Sequence, residues 1–297
     1  MLLQNYLQKS RSLAKLESLG DIRESKVNEC VVSKLFDLTS DSDSSADQVY
    51  SAALAALAPS IPIVSVQGGT LPNTSRLAGT KINDCQIGIY PVTMDEWQGV
   101  YKWALENGFD IASGTAGGPK HPVTMVNWYD CVKWCNAKSL MEGLDPVYSV
   151  TEQEGYYASG EFGSAGSDVV IWYAKSGYRL PTEVEWEWAA RGGRKTQGYS
   201  FAGSNNLNAV GWYSENSGCA AHAVGGKMAN ELGLHDMSGN VWEWCWDLDS
   251  IYSTNRKHRG GGWDHWEEHC SVGYWEWTSS YPALRQSDIG FRIARSL

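Results

Sequence analysis

Apolar residues fall into helical register in only a few short stretches of this chain. In VTMDEWQGVYKWALENG, Trp97, Val100, Tyr101, Ala104 and Leu105 share one face of a 3.6-residue period. Thr93 followed three residues later by Glu96 gives the reciprocal cap of a helix start, and Gly108 supplies a stop. LPTEVEWEWAARGG repeats this pattern with Thr182, Glu185 and Gly192. A third helix is predicted to start at Asn127 as N-cap, with Asp130 in its first turn and Trp134 on a face. Trp242, Trp244 and Trp246 alternate with Glu243 and Cys245, a strand period that puts the two sets on opposite faces. Between these pieces the sequence is rich in Gly and turn residues, with short extended runs such as IPIVSV. That mixture predicts an α+β domain with much irregular structure.

The first 58 residues differ. They hold no Trp and no Gly after Gly20, and Leu13, Leu16 and Leu19, then Val31, Leu35 and Leu38, recur at helical spacing. A helical N-terminal extension over 1–58 is therefore expected ahead of a domain over 59–297, with Pro59 and Pro62 marking the change. Asp41, Asp43 and Asp47 alternate with Ser between the two halves, but the turn glycine and closing glutamate of a calcium loop are missing, so this reads as a solvated linker. Residues 150–170, with Gly155, Gly160, Gly163 and Gly166, read as a polar surface insertion. No apolar run of about 18 residues encodes a membrane span, and the opening twenty residues lack the apolar core of a signal peptide.

Composition sharpens this picture. The 34 acidic and 24 basic side chains give a net charge of -10, which argues against a nucleic-acid partner. Fifteen Trp and fifteen Tyr stand against five Phe. Such a bias favours aromatics with a polar handle, suited to half-buried walls and contact surfaces. The seven cysteines are odd in number and scattered, unlike a disulfide framework. Cys131 and Cys135 lie four apart on the third helix, where Cβ atoms are about 5–6 Å apart. A disulfide needs roughly 3.5–4.5 Å, so both read as core thiols. Arg179, Glu183 and Glu187 are expected in a half-buried ionic network, Glu187 and Arg191 as a helical pair, and Arg292 as a structural residue.

Five ordered blocks carry a family resemblance. They are GIYPVT at 88–93, HPVTMVNWYDCVKWCN at 121–136, YRLPTEVEWEWAARGG at 178–193, GLHDMSGNVWEWCWD at 233–247, and RGGGW at 259–263 followed by IGFRIAR at 289–295. Together they resemble the formylglycine-generating enzyme (sulfatase-modifying factor) domain, which implies a C-type-lectin-like fold. The family's oxidase chemistry uses two cysteines, separated by four residues, that hold copper and activate a substrate thiol. The second matches Cys270 and the first falls on His265. The resemblance thus implies that oxidase activity is lost and that no residue is catalytic, with altered copper ligation through His265 and Cys270 as the alternative. A metal held by His265 and His269 would need helical spacing, and Gly260 to Gly262 argue for loop or strand, so two surface histidines is the preferred reading.

Residues 263–292 resemble the treponemal variable-protein branch of the family, whose C-terminal segment is diversified by a retroelement. The implied fixed framework is Gly261, Gly262, Trp263, Cys270, Val272, Pro282, Arg285, Ile289, Gly290, Phe291 and Arg292. The implied ligand-binding positions are Asp264, His265, Trp266, Glu268, His269, Trp275, Trp277, Ser280, Tyr281, Ala283, Leu284, Gln286, Ser287 and Asp288. Trp263 is expected to be buried core, whereas Trp266, Trp275 and Tyr281 are expected on display. Aromatics among His, Ser, Asp and Gln make a paratope-like composition. No cofactor is required on this reading, although the resemblance implies a calcium site at Gly239, Asn240, Val241 and Glu243. It also implies a protein or cell-surface ligand, a cell-surface or extracellular location, and a membrane tether, if any, outside this chain.

Overall fold

The first strand among the described residues, β1 (Ile63–Val66), is followed by a short ribbon of β2 (Gly69–Thr70) and β3 (Lys81–Ile82), and then by β4 (Cys85–Gly88). The computed structural model describes residues 61–297 except 152, 162–167 and 251. The predicted extension over 1–58, with its linker, and Gly163 and Gly166 of the predicted insertion lie outside the described residues. Helices α1 (Met94–Glu106) and α2 (Trp128–Met141) come next, and the ribbon β5 (Tyr148–Val150) and β6 (Val169–Ile171) flanks the insertion. Helix α3 (Glu183–Ala190) and the single turn α4 (Leu207–Val210) lead to β7 (Trp242–Leu248) and β8 (Arg256–Arg259). Three short strands close the chain: β9 (Ser279–Ser280), β10 (Ile289–Phe291) and β11 (Ala294–Ser296).

Local sequence dictates the helix starts. The side chains of Thr93, Asn127 and Thr182 each accept from the N3 backbone amide, while Glu96, Asp130 and Glu185 reach back to the cap amide. Gly108 and Gly192, both at positive φ, end the first and third helices where the sequence placed the stops.

Strand order sets the layers. β1, β4 and β11 form one antiparallel sheet, and the second runs β10-β7-β8-β9, with β10 parallel to β7 and the other pairs antiparallel. β7 lies between two cores. Trp242, Trp244 and Trp246 pack on the side of α1 and α2, where Trp97 and Trp134 stack at 5.7 Å and Phe291 meets both rings edge-on. Cys245, on the opposite face, packs with Trp186 and the β1-β4-β11 sheet. Two buried indole N–H groups brace β7, Trp128 donating to the Cys245 carbonyl and Trp244 to the Val126 carbonyl. Among the described residues all six cysteines are free thiols, and Cys131 and Cys135 are buried as expected of core thiols.

Buried ion pairs tie strands and helix together. Arg292 donates from Nε and Nη2 to the Glu243 carboxylate, each at 2.6 Å, and both side chains are fully buried. Arg259 bridges Glu183 and Glu187, and Arg191 holds the other Glu187 oxygen one helical turn on. One expectation needs correction: Arg179 pairs with Glu185, in a two-pronged contact, and not with Glu183 or Glu187. The reason is position, since Glu185 is the N3 cap carboxylate and faces the segment that enters α3.

Asp247 adds a pH-dependent term. Its carboxylate accepts from the Glu183 amide at the start of α3, yet burial, and then nearby Glu183 and Glu185, push its pKa up to about 6. A carboxyl raised above its unfolded value binds more protons when folded. Its contribution is therefore fully present below about pH 4 and is lost as pH rises through about 6. Asp247→Asn keeps an oxygen for the amide and removes the charge. The variant is expected to unfold at higher urea than the parent at pH 8, with the gap closing below pH 4. A gap that does not change with pH would refute this.

Candidate ligand-binding surface

After β8 the chain turns back on itself, and glycine makes the turn possible. Gly260 and Gly261 have φ of +106° and +78°, and a Cβ on Gly261 would lie 2.6 Å from the Cys270 sulfur. The loop then runs through a 3-10 turn, Glu267–Cys270, to β9 and into β10. Cys270 points inward against Phe201, Leu207, Val210 and Tyr213, and burial raises its thiol pKa far above the usual range.

Burial separates the two sets of residues given in the sequence reading. Nine of the eleven framework residues are buried. Trp263 and Arg285 are the exceptions. Trp263 is half-buried, with its indole N–H on the Ser287 carbonyl, which corrects the expectation that it is core. Arg285 is exposed and ion-paired with buried Asp130. Among the fourteen binding positions only Asp288 is buried. Trp277, Trp266 and Tyr281 are 87%, 63% and 57% exposed. Trp277 also has φ of +55°, a strained conformation for a bulky residue. Trp275 is exposed on one side and carries the Arg76 guanidinium 3.9 Å over its ring. Ala283 is half-buried against the main core.

A cleft of about 560 Å³ opens in this surface. Eight of the fourteen positions line it: Asp264, His265, His269, Trp277, Ser280, Gln286, Ser287 and Asp288. Trp266, Glu268, Tyr281, Ala283 and Leu284 lie outside that lining, and Trp275 borders a second cleft with Trp277, Arg76 and Lys257. Sequence reasoning missed Met125, Trp242, His258, Tyr274 and Ile289 as walls of the first cleft. His258 faces it because β8 pairs with β7 so that His258 sits opposite Trp244. Its Nε2 contacts Ser280 Oγ at 3.0 Å, and burial, and then His265, push its pKa down to about 3, so the ring is neutral.

The residues implied for calcium do not fit that ion. Both Glu243 oxygens are engaged by Arg292, and one also accepts from Trp186 Nε1 at 2.6 Å. The Asn240 side-chain oxygen accepts from the His222 amide, and its main-chain oxygen from the Trp263 amide. A guanidinium thus neutralises the one carboxylate of the set of Gly239, Asn240, Val241 and Glu243, leaving no anionic ligand for a hard dication.

A fold of mixed helices and short sheets, closed by a glycine turn and an aromatic-edged cleft, defines a domain class. The chain belongs to the sulfatase-modifying factor enzyme 1-like domain family, whose model matches residues 56–297. Chaperone protein LppX of Paenibacillus barcinonensis is 37% identical over 79% of this chain and 89% of its own length. Among solved structures, CarF matches with TM-score 0.68 at 30% identity, over 80% of this chain and 99% of its own. Treponema denticola variable protein 1 matches with TM-score 0.65 at 30% identity, over 79% and 95%. The family spans active and inactive proteins. A formylglycine-generating enzyme of Mycobacterium tuberculosis is 39% identical over about half of each chain, 53% and 52%. An inactive C-alpha-formylglycine-generating enzyme 2 of Bos taurus is 38% identical over 33% of this chain and 36% of its own.

Proposed function

We propose that this protein is a non-enzymatic, receptor-like binding protein whose C-terminal segment is a ligand-contacting surface diversified by a retroelement. The carrying observation is the partition of side chains between buried framework and exposed positions. Substitution at outward-facing positions costs a scaffold little, so such a segment tolerates diversity while the fold persists. Likeness to Treponema denticola variable protein 1 supports this reading. Exposed Trp266, Trp277 and Tyr281 beside small polar side chains suit a macromolecular ligand, a protein or a cell-surface molecule, and the protein would act at the cell surface or outside the cell.

Its direct test is the DNA beside the gene. A template repeat that differs from the 3′ end mainly at adenines, in codons for the fourteen positions, is the expected result, and its absence removes the diversification reading.

The copper-oxidase alternative asks His265 and Cys270 to act together. His265 lines the cleft, whereas Cys270 is buried in an apolar cluster with a thiol held in its protonated form. Titration with Cu(I) is expected to show no tight site that Cys270→Ser abolishes, and a cysteine-containing peptide should remain unoxidised. Stoichiometric Cu(I) uptake lost in that variant, together with peptide oxidation, would restore the enzyme reading.

A further inference from the structure

Three of the cleft-lining binding positions also bring metal-type donors together. Asp264, His265 and Asp288 present one ligand atom each, and these atoms lie within 4.8 Å of one another. His265 Nδ1 is 2.8 Å from Asp264 Oδ1 and 3.9 Å from Asp288 Oδ2. Tetrahedral ligands about 2.1 Å from zinc are separated by about 3.4 Å, between those two values. Small side-chain rotations would close the cage. We propose that Asp264, His265 and Asp288 form a binding site for a divalent transition metal of the zinc and cobalt class.

Three observations point to a cation there. Two carboxylates share the spot, and one of them, Asp288, is buried. The nearest guanidinium on the cleft wall, Arg285, is already committed to Asp130. Finally, His258 is almost wholly buried on the same wall and its Nδ1 has no hydrogen-bond partner, and the Nδ1 of His269 is likewise unpartnered. Buried polar atoms left unpaired mark a place where bound water or ligand completes the site. Trp242 Nε1 lies 3.4 Å from both His265 ring nitrogens, with its ring edge-on at 87°, and positions the imidazole. An imidazole with two carboxylates suits zinc or cobalt better than calcium, and three protein ligands leave a coordination position open toward the cleft mouth.

This inference uses the same cleft as the binding reading but does not depend on diversification. Chelator-stripped full-length protein without an affinity tag would be titrated with Zn(II) by calorimetry and with Co(II) by visible absorption. One ion per chain is expected, with a cobalt spectrum of low symmetry. His265→Ala and Asp264→Asn, both at exposed or half-buried positions, should each weaken binding on the order of 100-fold while the urea midpoint stays unchanged. Asp288→Asn should do the same if it folds. Unchanged Zn(II) affinity in His265→Ala, or no uptake at millimolar Zn(II), would overturn the site, and equal competition by Ca(II) would overturn the metal class. Zinc binding in a protein whose gene has no template repeat would leave this inference standing and remove the diversification reading.

Discussion

Arg292→Ala is expected to lose about 3–5 kcal/mol of folding stability, because it strands a fully buried carboxylate. Glu243 is fully buried, and its carboxylate is held by the Arg292 fork and the Trp186 indole. The guanidinium also donates to the carbonyls of Gly88 and His235, so the deletion orphans acceptors on two separate segments. Arg292→Lys keeps the charge but not the planar fork, and should fall between the parent and Arg292→Ala. Removing both charges, as in Arg292→Met with Glu243→Leu, is expected to cost less than Arg292→Ala alone, since no buried ion remains unpaired. Urea unfolding with matched soluble yields reads this series. An Arg292→Ala stability within about 1 kcal/mol of the parent would mean that the pair does not clasp the residue after β10 to β7.

That clasp shows where sequence stops informing structure. Capping boxes at Thr93, Asn127 and Thr182 could be read because donor and acceptor lie three residues apart. The two faces of β7 could be read because alternation is intrinsic to a strand. Arg292 could be read as structural, but not paired with Glu243 49 residues earlier, since that pairing depends on β10 lying parallel to β7. Likewise Arg259 meets Glu183 across 76 residues, and no local signal marks it. His258 escaped notice for the same reason. Its face follows from the register of β8 on β7, which has a shift between Trp244 and Leu248. Trp263 was expected in the core, whereas its ring is half-buried with its N–H on the carbonyl of Ser287, 24 residues on, a contact no local signal marks. The Asp264, His265 and Asp288 cluster was hidden because Asp288 is 23 residues from His265 in sequence and is brought alongside only by the return of the loop into β10.

Randomising the C-terminal segment should divide its positions into two energetic classes, and the division should follow burial. At Trp266, Glu268, Trp277, Tyr281, Gln286 and Ser287 the side chains are exposed, and most substitutions are expected to stay within about 0.5 kcal/mol of the parent. Trp277 carries one further expectation: glycine or asparagine there should stabilise slightly, because its φ of +55° is strained for a bulky residue. The framework should behave in the opposite way. Gly261→Ala forces a Cβ to within 2.6 Å of the Cys270 sulfur at positive φ, and Gly290→Ala one to within 2.6 Å of the Val123 carbonyl. Each is expected to cost on the order of 3 kcal/mol. Phe291→Ala empties a site against the edges of two stacked tryptophans and should cost about 3–5 kcal/mol. Asp288 is the informative intermediate, since it belongs to the binding set by position but is buried. It should tolerate Asn and reject large apolar residues. A displayed library scored by protease resistance measures every position at once. If replacements at Trp266, Trp277 and Tyr281 proved as damaging as those at Gly261 and Phe291, these aromatics would be structural and the segment could not serve as a replaceable contact surface.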